Sequence, residues 1–437
     1  MTCGISCMRG IGSYFVSFFE GGVNRMMKNK FDNNLISKMN RRLILDLIRR
    51  NGPINRAEVA HVTGLSIPTV MKITDELSRI NLIRVIGKRK SIGGKRPELY
   101  EFIPNSFCTI GLDIGRNKIR ALVMDMSAKI IAKKEIRTEE THPESELIER
   151  LIVLVKELIA ESSLNENEIL GLGIGMPGLL DTEAGVVLFS PDFNWEHIPL
   201  IEKFEEEFSF RTVLENSNRT LALGEHWFGA GTDSNDLICV NLGYGIGAGI
   251  IENGEIIQGS SGSNGEFGHI ILDKNGPICS CGNRGCLEAI SSGYAIANQI
   301  KHMVEQGTSS IVTEMCCGDL SRIDAKLVFK AAFLDDELCK KVINNAVEYI
   351  GIGIAALINL FDPEQIILSG GITKSSETFK ENLEIIIQNN QMRFAGRKVQ
   401  IKYGKLGDNA SAIGAATLLI KQLIDNGGFI DSLDIPL

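Results

Sequence analysis

Aromatic residues are scarce in this 437-residue chain, at 6% with only two tryptophans, and no stretch of about 18 or more uncharged apolar residues occurs in it. The second shortage argues against a membrane-spanning helix. A disulfide framework is also missing: three of the ten cysteines, Cys279, Cys281 and Cys286, bunch within eight residues, and Cys108, Cys239 and Cys339 sit in apolar segments as small core residues would. Such usage fits a reduced, cytoplasmic protein with one metal-type cluster. The apolar segment 11–19 follows Arg9 in the manner of a secretion signal. It contains Gly12 and Ser13, however, runs into Glu20 and lacks a small-residue cleavage site, so export is not expected. What is abundant is ordinary globular material, 44% apolar and 23% charged, in a length that predicts two or three domains. Residues 1–34 match nothing downstream and are expected to be a disordered extension, with Met26 or Met27 a candidate translation start.

Charge is unevenly spread. The chain carries −8, yet residues 41–100 hold thirteen Lys and Arg against five Asp and Glu, a net of +8 that leaves −16 for the remainder. A small basic module on an acidic body points to a polyanion partner for the module alone. Within it, Leu43, Ile44, Leu47 and Ile48 recur at helical spacing from Arg41. After Asn51-Gly52-Pro53 a second helix spans 56–63, Gly64 offers a turn, and Ser66 caps a third helix to about Ile80. Val70, Ile73, Leu77 and Ile80 form the inner face of that third helix. Ser66, Thr69 and Lys72 are then predicted to face the base edges of DNA. Two strands, 82–85 and 99–102, flank a glycine-rich loop whose Lys88, Arg89, Lys90, Lys95 and Arg96 read as a wing for phosphate or minor-groove contact. The module, placed at 35–104, is expected to be an α+β winged helix-turn-helix that binds operator DNA.

From Phe107 strands and helices alternate with glycine-rich turns, an α/β pattern. His269, Cys279, Cys281 and Cys286 offer one imidazole and three thiolates, a donor set suited to tetrahedral zinc. With four protein ligands and no open position, the metal would be structural.

Five segments, GLDIGRNKIRALVMD from 111, GLGIGMPGLLD from 171, LENSNRTLALGE from 214, NLGYGIGAGII from 241 and GEFGHIILDKNGPICSCGNRGCLEAI from 265, resemble the ROK (repressor, open reading frame, kinase) family. LFDPEQIILSGGI from 360 and GDNASAIGAA from 407 extend the likeness over essentially 107–437. The preceding winged helix is similar to the family's transcriptional repressor branch, which includes xylose and N-acetylglucosamine repressors. The resemblance implies an actin-like, hexokinase-like two-lobed α/β fold over 105–437, with a sugar cleft between lobe one (about 105–225 plus a C-terminal helix near 407–425) and lobe two (about 226–406, with the zinc loop). It further implies a sugar site of Asn216, Glu266, His269 and Glu288, in a loop held by the metal. Carboxylates, an amide and an imidazole suit a polyol, since each directs hydrogen bonds at vicinal hydroxyls.

Three positions depart from the kinase pattern that the resemblance supplies. Ser217 stands where a kinase has its catalytic aspartate, and a serine hydroxyl is no general base near neutral pH, a loss of about 10²–10⁴-fold. Asn117 and Tyr244 replace small hydroxyl residues in the two phosphate loops, and Tyr244 is expected to crowd the second. No catalytic residue and no ATP requirement are therefore expected. The reading is a sugar-responsive repressor of carbohydrate uptake or catabolism genes, a homodimer or homotetramer released from its operator by a small sugar. A sugar kinase with a vestigial DNA-binding module, and a regulator that reads a partner protein, are the rivals.

Overall fold

The computed structural model describes residues 33–88, 97–138, 144–374, 377–393 and 399–428. They divide into two compact units, Met1–Ile103 with Lys421–Leu437, and Pro104–Ile420.

In the first unit, α1 (Asn33–Asn51), β1 (Ile54–Asn55), α2 (Arg56–Thr63), α3 (Ile67–Arg79), β2 (Ile83–Lys88) and β3 (Glu98–Phe102) form a tri-helical winged fold with strand order β1-β3-β2. Local chemistry sets the boundaries. Asn55 and Glu58 make a reciprocal capping box at the start of α2, Gly64 closes it in the left-handed conformation at φ 70°, and Ser66 caps α3. The first helix differs from the sequence reading in two ways: it begins at Asn33 rather than near Arg41, and its buried stripe is Ile44, Leu45 and Ile48, while Leu43 is exposed. Adjacent apolar residues left the face ambiguous, and packing against Val59, Val70, Ile73 and Leu77 decides it. The short β1, pairing Ile54 with Tyr100, has no counterpart in the sequence reading. The segment from Lys421 to Gly428 also belongs to this unit: Asp425 pairs with Arg42 at 3.0 Å, and a Cβ on Gly428 would meet Leu82 at 2.8 Å and Leu77 at 3.1 Å. Most of the expected extension (residues 1–32) and four of the five wing cations, Arg89, Lys90, Lys95 and Arg96, lie outside the described residues, and Lys88 ends β2.

The second unit holds two five-stranded sheets of the same topology. One is built from β4 (Cys108–Ile114), β5 (Lys118–Asp125), β6 (Ile130–Arg137), β7 (Ile169–Met176) and β11 (Arg211–Asn216) in the order β11-β7-β4-β5-β6. The other uses β12 (Leu237–Leu242), β13 (Ile246–Glu252), β14 (Glu255–Ile256), β15 (Gln365–Ser369) and β16 (Gln400–Tyr403) in the order β14-β13-β12-β15-β16. Each pairs its first strand antiparallel to the second and parallel to a later one. This repeated half is the two-lobed actin-like pattern. A small antiparallel sheet, β8 (Leu179–Asp181), β9 (Val186–Ser190) and β10 (Trp195–Ile198), extends the first half.

Helices cover both sheets. α4 (Glu144–Ser162) buries Leu147, Leu151, Leu154 and Leu158 in the first core, and α11 (Glu337–Phe361) crosses the second. Between them in sequence lie α5 (Leu200–Glu205), α6 (Ser217–Phe228), α7 (Leu287–Ser291), α8 (Gly293–Glu305), α9 (Val312–Met315) and α10 (Ala325–Phe333); α12 (Glu377–Asn390) and α13 (Ala410–Asp425) follow. Although α11 is long and apolar enough to cross a membrane by length and composition, most of its apolar residues from Cys339 to Ile358 are buried in the core. The start of α13 lies so close to the first sheet that a Cβ at Gly111 or Gly173 would come within 1.9 Å of the carbonyl oxygens of Ala412 and Ala415.

One buried ion pair joins these elements where they meet the site. Arg219, on the first turns of α6, is 1% exposed and Glu215, at the end of β11, is 2% exposed. Arg219 Nε donates to Glu215 Oε1 at 2.7 Å, and its Nη1 donates to the carbonyls of Gly262 at 2.8 Å and Asn264 at 3.4 Å. Glu215 also accepts from the Asn216 N–H and from Gln258 Nε2, both at 2.7 Å. A charge so deeply buried is stabilising only while its partner stands. Arg219→Met is predicted to destabilise the protein by about 3–5 kcal/mol in urea unfolding, and Glu215→Met with Arg219→Met by less than the sum of the single changes; additive losses would show the pair to be uncoupled.

Candidate functional site

The strand-to-helix junction at 215–217 and the loop from Gln258 to Cys286 supply the site. Asn216 is the N-cap of α6 and 7% exposed; its Oδ1 accepts from the Asn218 N–H at 2.9 Å and its Nδ2 donates to the Gly178 carbonyl at 3.2 Å. Half of its amide capacity is thereby committed to the fold, and the remainder is available to a ligand.

Glu266 and His269 sit one turn apart in a short 3-10 segment, with the imidazole Nε2 3.7 Å from the carboxylate. Desolvation raises the pKa of Glu266, with the charges of His269 and Arg219 lowering it and Glu288 raising it. Three of the four residues expected to contact sugar thus act on one another at close range. Glu288, on α7, is fixed differently: its Oε2 accepts the Ile246 N–H at 2.9 Å, and a Cβ on Gly245 would fall 2.5 Å from that oxygen, which explains the glycine.

The other imidazole nitrogen turns to the cysteines. His269 Nδ1 lies 3.5 Å from Cys279 Sγ, Cys281 Sγ lies 3.7 Å from Cys286 Sγ, and the donor atoms of all four residues fall within 4.8 Å of one another. A reversing loop sets that spacing: Cys279 N–H bonds to Asn283 O, Gly282 N–H to Cys279 O, and isolated bridges pair Ile278 with Arg284 and Ile271 with Cys286. Gly285, at φ 76°, is needed because a Cβ there would come within 1.5 Å of the Asp273 carbonyl. Burial pushes the Cys286 thiol up to about 12, and the neighbouring sulfurs add to the effect; three thiols and an imidazole with donor atoms this close together are the donor set of a tetrahedral metal site. The four residues therefore fit a metal ion. Glu266 stands on the side of the imidazole away from the cysteines, the place from which a carboxylate commonly orients a metal-binding histidine.

The two turns expected to face phosphate are occupied by side chains. Arg116, after the β4 strand, stacks over Tyr244 at 4.9 Å and Tyr294 at 6.0 Å and pairs with Asp192 at 3.0 Å; the two tyrosine rings lie 5.2 Å apart. Tyr244 therefore reaches across to the other turn. Asp113 is buried, accepts from Ser411 Oγ at 2.7 Å and lies 3.6 Å from Arg120, with burial raising its pKa.

In the winged unit, Ser66 is exposed and its Oγ accepts from the Thr69 N–H at 3.3 Å; Thr69 is half-buried, with its hydroxyl 2.8 Å from that of Ser66, and Lys72 is exposed. Sequence reasoning missed Arg219, Glu215 and Gln258. The opposite charges four residues apart across the Asn216 boundary were the available signal.

The ROK family model matches residues 109–422, and a winged helix-turn-helix DNA-binding model matches residues 40–84. A putative xylose repressor of Caldicellulosiruptor sp. strain Rt8B.4 is 31% identical over 390 residues, 89% of this chain and 97% of that protein. The DNA-binding transcriptional dual regulator NagC of Escherichia coli K12 is 32% identical over 404 residues, 92% and 96% of the two chains. Among solved structures, a ROK family transcriptional regulator described as a homologue of the E. coli MLC protein aligns with TM-score 0.77 at 27% identity, over 90% of this chain and 98% of that one. A ROK family glucokinase from Streptomyces griseus, in complex with glucose and AMPPNP, aligns with TM-score 0.64 at 30% identity, over 72% of this chain and 99% of that one. That alignment spans a length close to the ROK match, and the relatives named repressors span the winged unit as well, so the chain belongs to the ROK family and carries a winged helix-turn-helix DNA-binding unit ahead of its ROK domain.

Proposed function

We propose that this chain is a cytoplasmic, sugar-responsive transcriptional repressor of carbohydrate uptake or catabolism genes. The observation that carries the reading is one chain holding both a complete helix-turn-helix and a ROK site in which Asn216, Glu266, His269 and Glu288 persist while position 217 offers serine in place of a carboxylate. The relatives named as a putative xylose repressor and as a DNA-binding transcriptional dual regulator support it. A hydroxyl-rich ligand would bridge Asn216 at the head of α6 and the Glu266 loop, the two segments that Arg219 ties together. Ligand changes operator affinity only through unequal binding to DNA-competent and incompetent states, and lobe closure over the sugar is the change we assign to that role. Ser66, Thr69, Lys72 and the wing cations Lys88, Arg89, Lys90, Lys95 and Arg96 would contact DNA, as a homodimer or homotetramer on a pseudo-palindromic operator.

His269, Cys279, Cys281 and Cys286 would hold zinc, which supplies a rigid cross-link in the loop rather than reaction chemistry, since four protein donors leave no open position. No phosphoryl transfer is assigned: Ser217 cannot take the proton, and Arg116 and Tyr244 fill the turns that would meet phosphate.

Two outcomes are expected. Fluorescence anisotropy on DNA upstream of the protein's own gene, titrated with glucose, N-acetylglucosamine, xylose and their phosphates, should show one sugar weakening binding by about 5–150-fold; specific binding that ignores every sugar would remove the effector site. Cys281→Ser should lose the stoichiometric zinc that elemental analysis finds in the parent and lower the unfolding midpoint by about 2–4 °C for each kcal/mol lost. Parent protein that purifies without metal and is unaffected by chelators would refute the zinc assignment.

A further inference from the structure

The first two turns of α3 expose little hydrogen-bonding chemistry. Val70, Ile73, Thr74 and Leu77 are buried, so at 100° per residue the face directly opposite runs through Pro68, Lys72, Asp75 and Arg79, with Met71 on its flank and Ile67 at the first helical position; all six are exposed. Ile67 and Met71 are 45% and 44% exposed and one turn apart. Pro68 has no N–H to offer. Ser66 and Thr69, the hydroxyl residues of this end, are bonded to each other in the helix cap, and Asp75 is paired with Arg56. Lys72, with its side chain 76% exposed and Nζ 3.9 Å from Glu76, is the donor available in the first two turns.

A recognition helix meets base edges with these N-terminal turns. The major-groove edges of the bases present donors and acceptors, with one apolar exception, the 5-methyl group of thymine. An exposed isoleucine and methionine there, within a module of net charge +8, have thymine methyls as their chemical complement. We propose that Ile67 and Met71 are specificity-determining residues that read thymine methyl groups, and that Lys72 takes the O6/N7 edge of a nearby guanine. The operator half-site is then A·T-rich beneath the first two turns of α3 with an adjoining G·C pair. The inference rests on the DNA-binding role proposed above and adds what the protein reads.

The test uses the full-length protein. Selection from a random duplex library yields its preferred site, and anisotropy then compares that duplex with versions in which each thymine in turn is deoxyuridine, a change that deletes only the methyl group. The expected result is at least two thymines per half-site whose replacement weakens binding about fourfold each, the ratio that corresponds to roughly 0.8 kcal/mol for one buried carbon. Ile67→Ala and Met71→Ala should each abolish the thymine preference at one of these positions, so that the variant binds both duplexes as the parent binds the deoxyuridine form. Lys72→Ala should keep the thymine preference and lose discrimination at the guanine. The two exposed positions leave the core intact, and the shared affinity on the deoxyuridine duplex shows that each variant is folded. Parent binding that is indifferent to every methyl, or variants that keep the full preference, would overturn the proposal while leaving the DNA-binding role in place. A library that enriches no sequence would overturn both.

Discussion

Arg219 holds its guanidinium in an almost water-free position, and most of the site's geometry descends from that placement. Its anion, Glu215, bonds the Asn216 N–H and so fixes the head of α6, while the cation's other nitrogen grips the carbonyls of Gly262 and Asn264 just before Glu266. Gln258 closes the arrangement onto the second oxygen of Glu215. The pair would be a poor source of stability on its own, because desolvating two ions costs about as much as their attraction returns. Its value is in geometry: backbone from two distant parts of the chain is held by one rigid planar group.

The loop beyond Arg219 is organised from both ends. His269 faces Glu266 with one nitrogen and the cysteine cluster with the other, so a metal held there would orient the imidazole that in turn faces the carboxylate. Arg116 and Tyr244 pack beside this region, since Gly245, next to Tyr244, lies against the Glu288 carboxylate. Where the resemblance gives a kinase small hydroxyl residues this chain has Asn117 and Tyr244, and Tyr244 stacks on Arg116, the neighbour of Asn117, at 4.9 Å. Serine at position 217 and the Arg116–Tyr244 stack are separate features, and both fit the reading of a binding site rather than a transferase.

What the sequence revealed depended on how local the cause was. The second and third helices of the winged unit were legible because Asn55, Gly64 and Ser66 act within a few residues of themselves. The cysteine cluster was legible because its spacing alone fixes the loop. The face of the first helix was not: Leu43, Ile44 and Leu45 are equally apolar, and only the helices packed beside them select Leu45 over Leu43. Arg219 was hidden for a different reason, since a charged residue on a helix reads as a solvated one until the loop that buries it is in place. Thr69 was read as facing outward and is half-buried, its hydroxyl paired with Ser66 in the cap, while Ile67 and Met71, passed over in the sequence, are exposed beside Ser66 and Lys72. Side-chain commitments of that kind do not follow from periodicity.

Coupling between sugar and DNA is the central claim, and its most direct test is thermodynamic reciprocity. Calorimetry would measure the affinity of the effector sugar for the full-length protein alone and for the protein saturated with operator duplex. The account predicts that operator weakens sugar binding by the same factor by which sugar weakens operator binding, because both ligands draw on one conformational equilibrium. Equal sugar affinity in the presence and absence of operator would contradict it, leaving a sugar-binding domain and a DNA-binding domain that share a chain and nothing else.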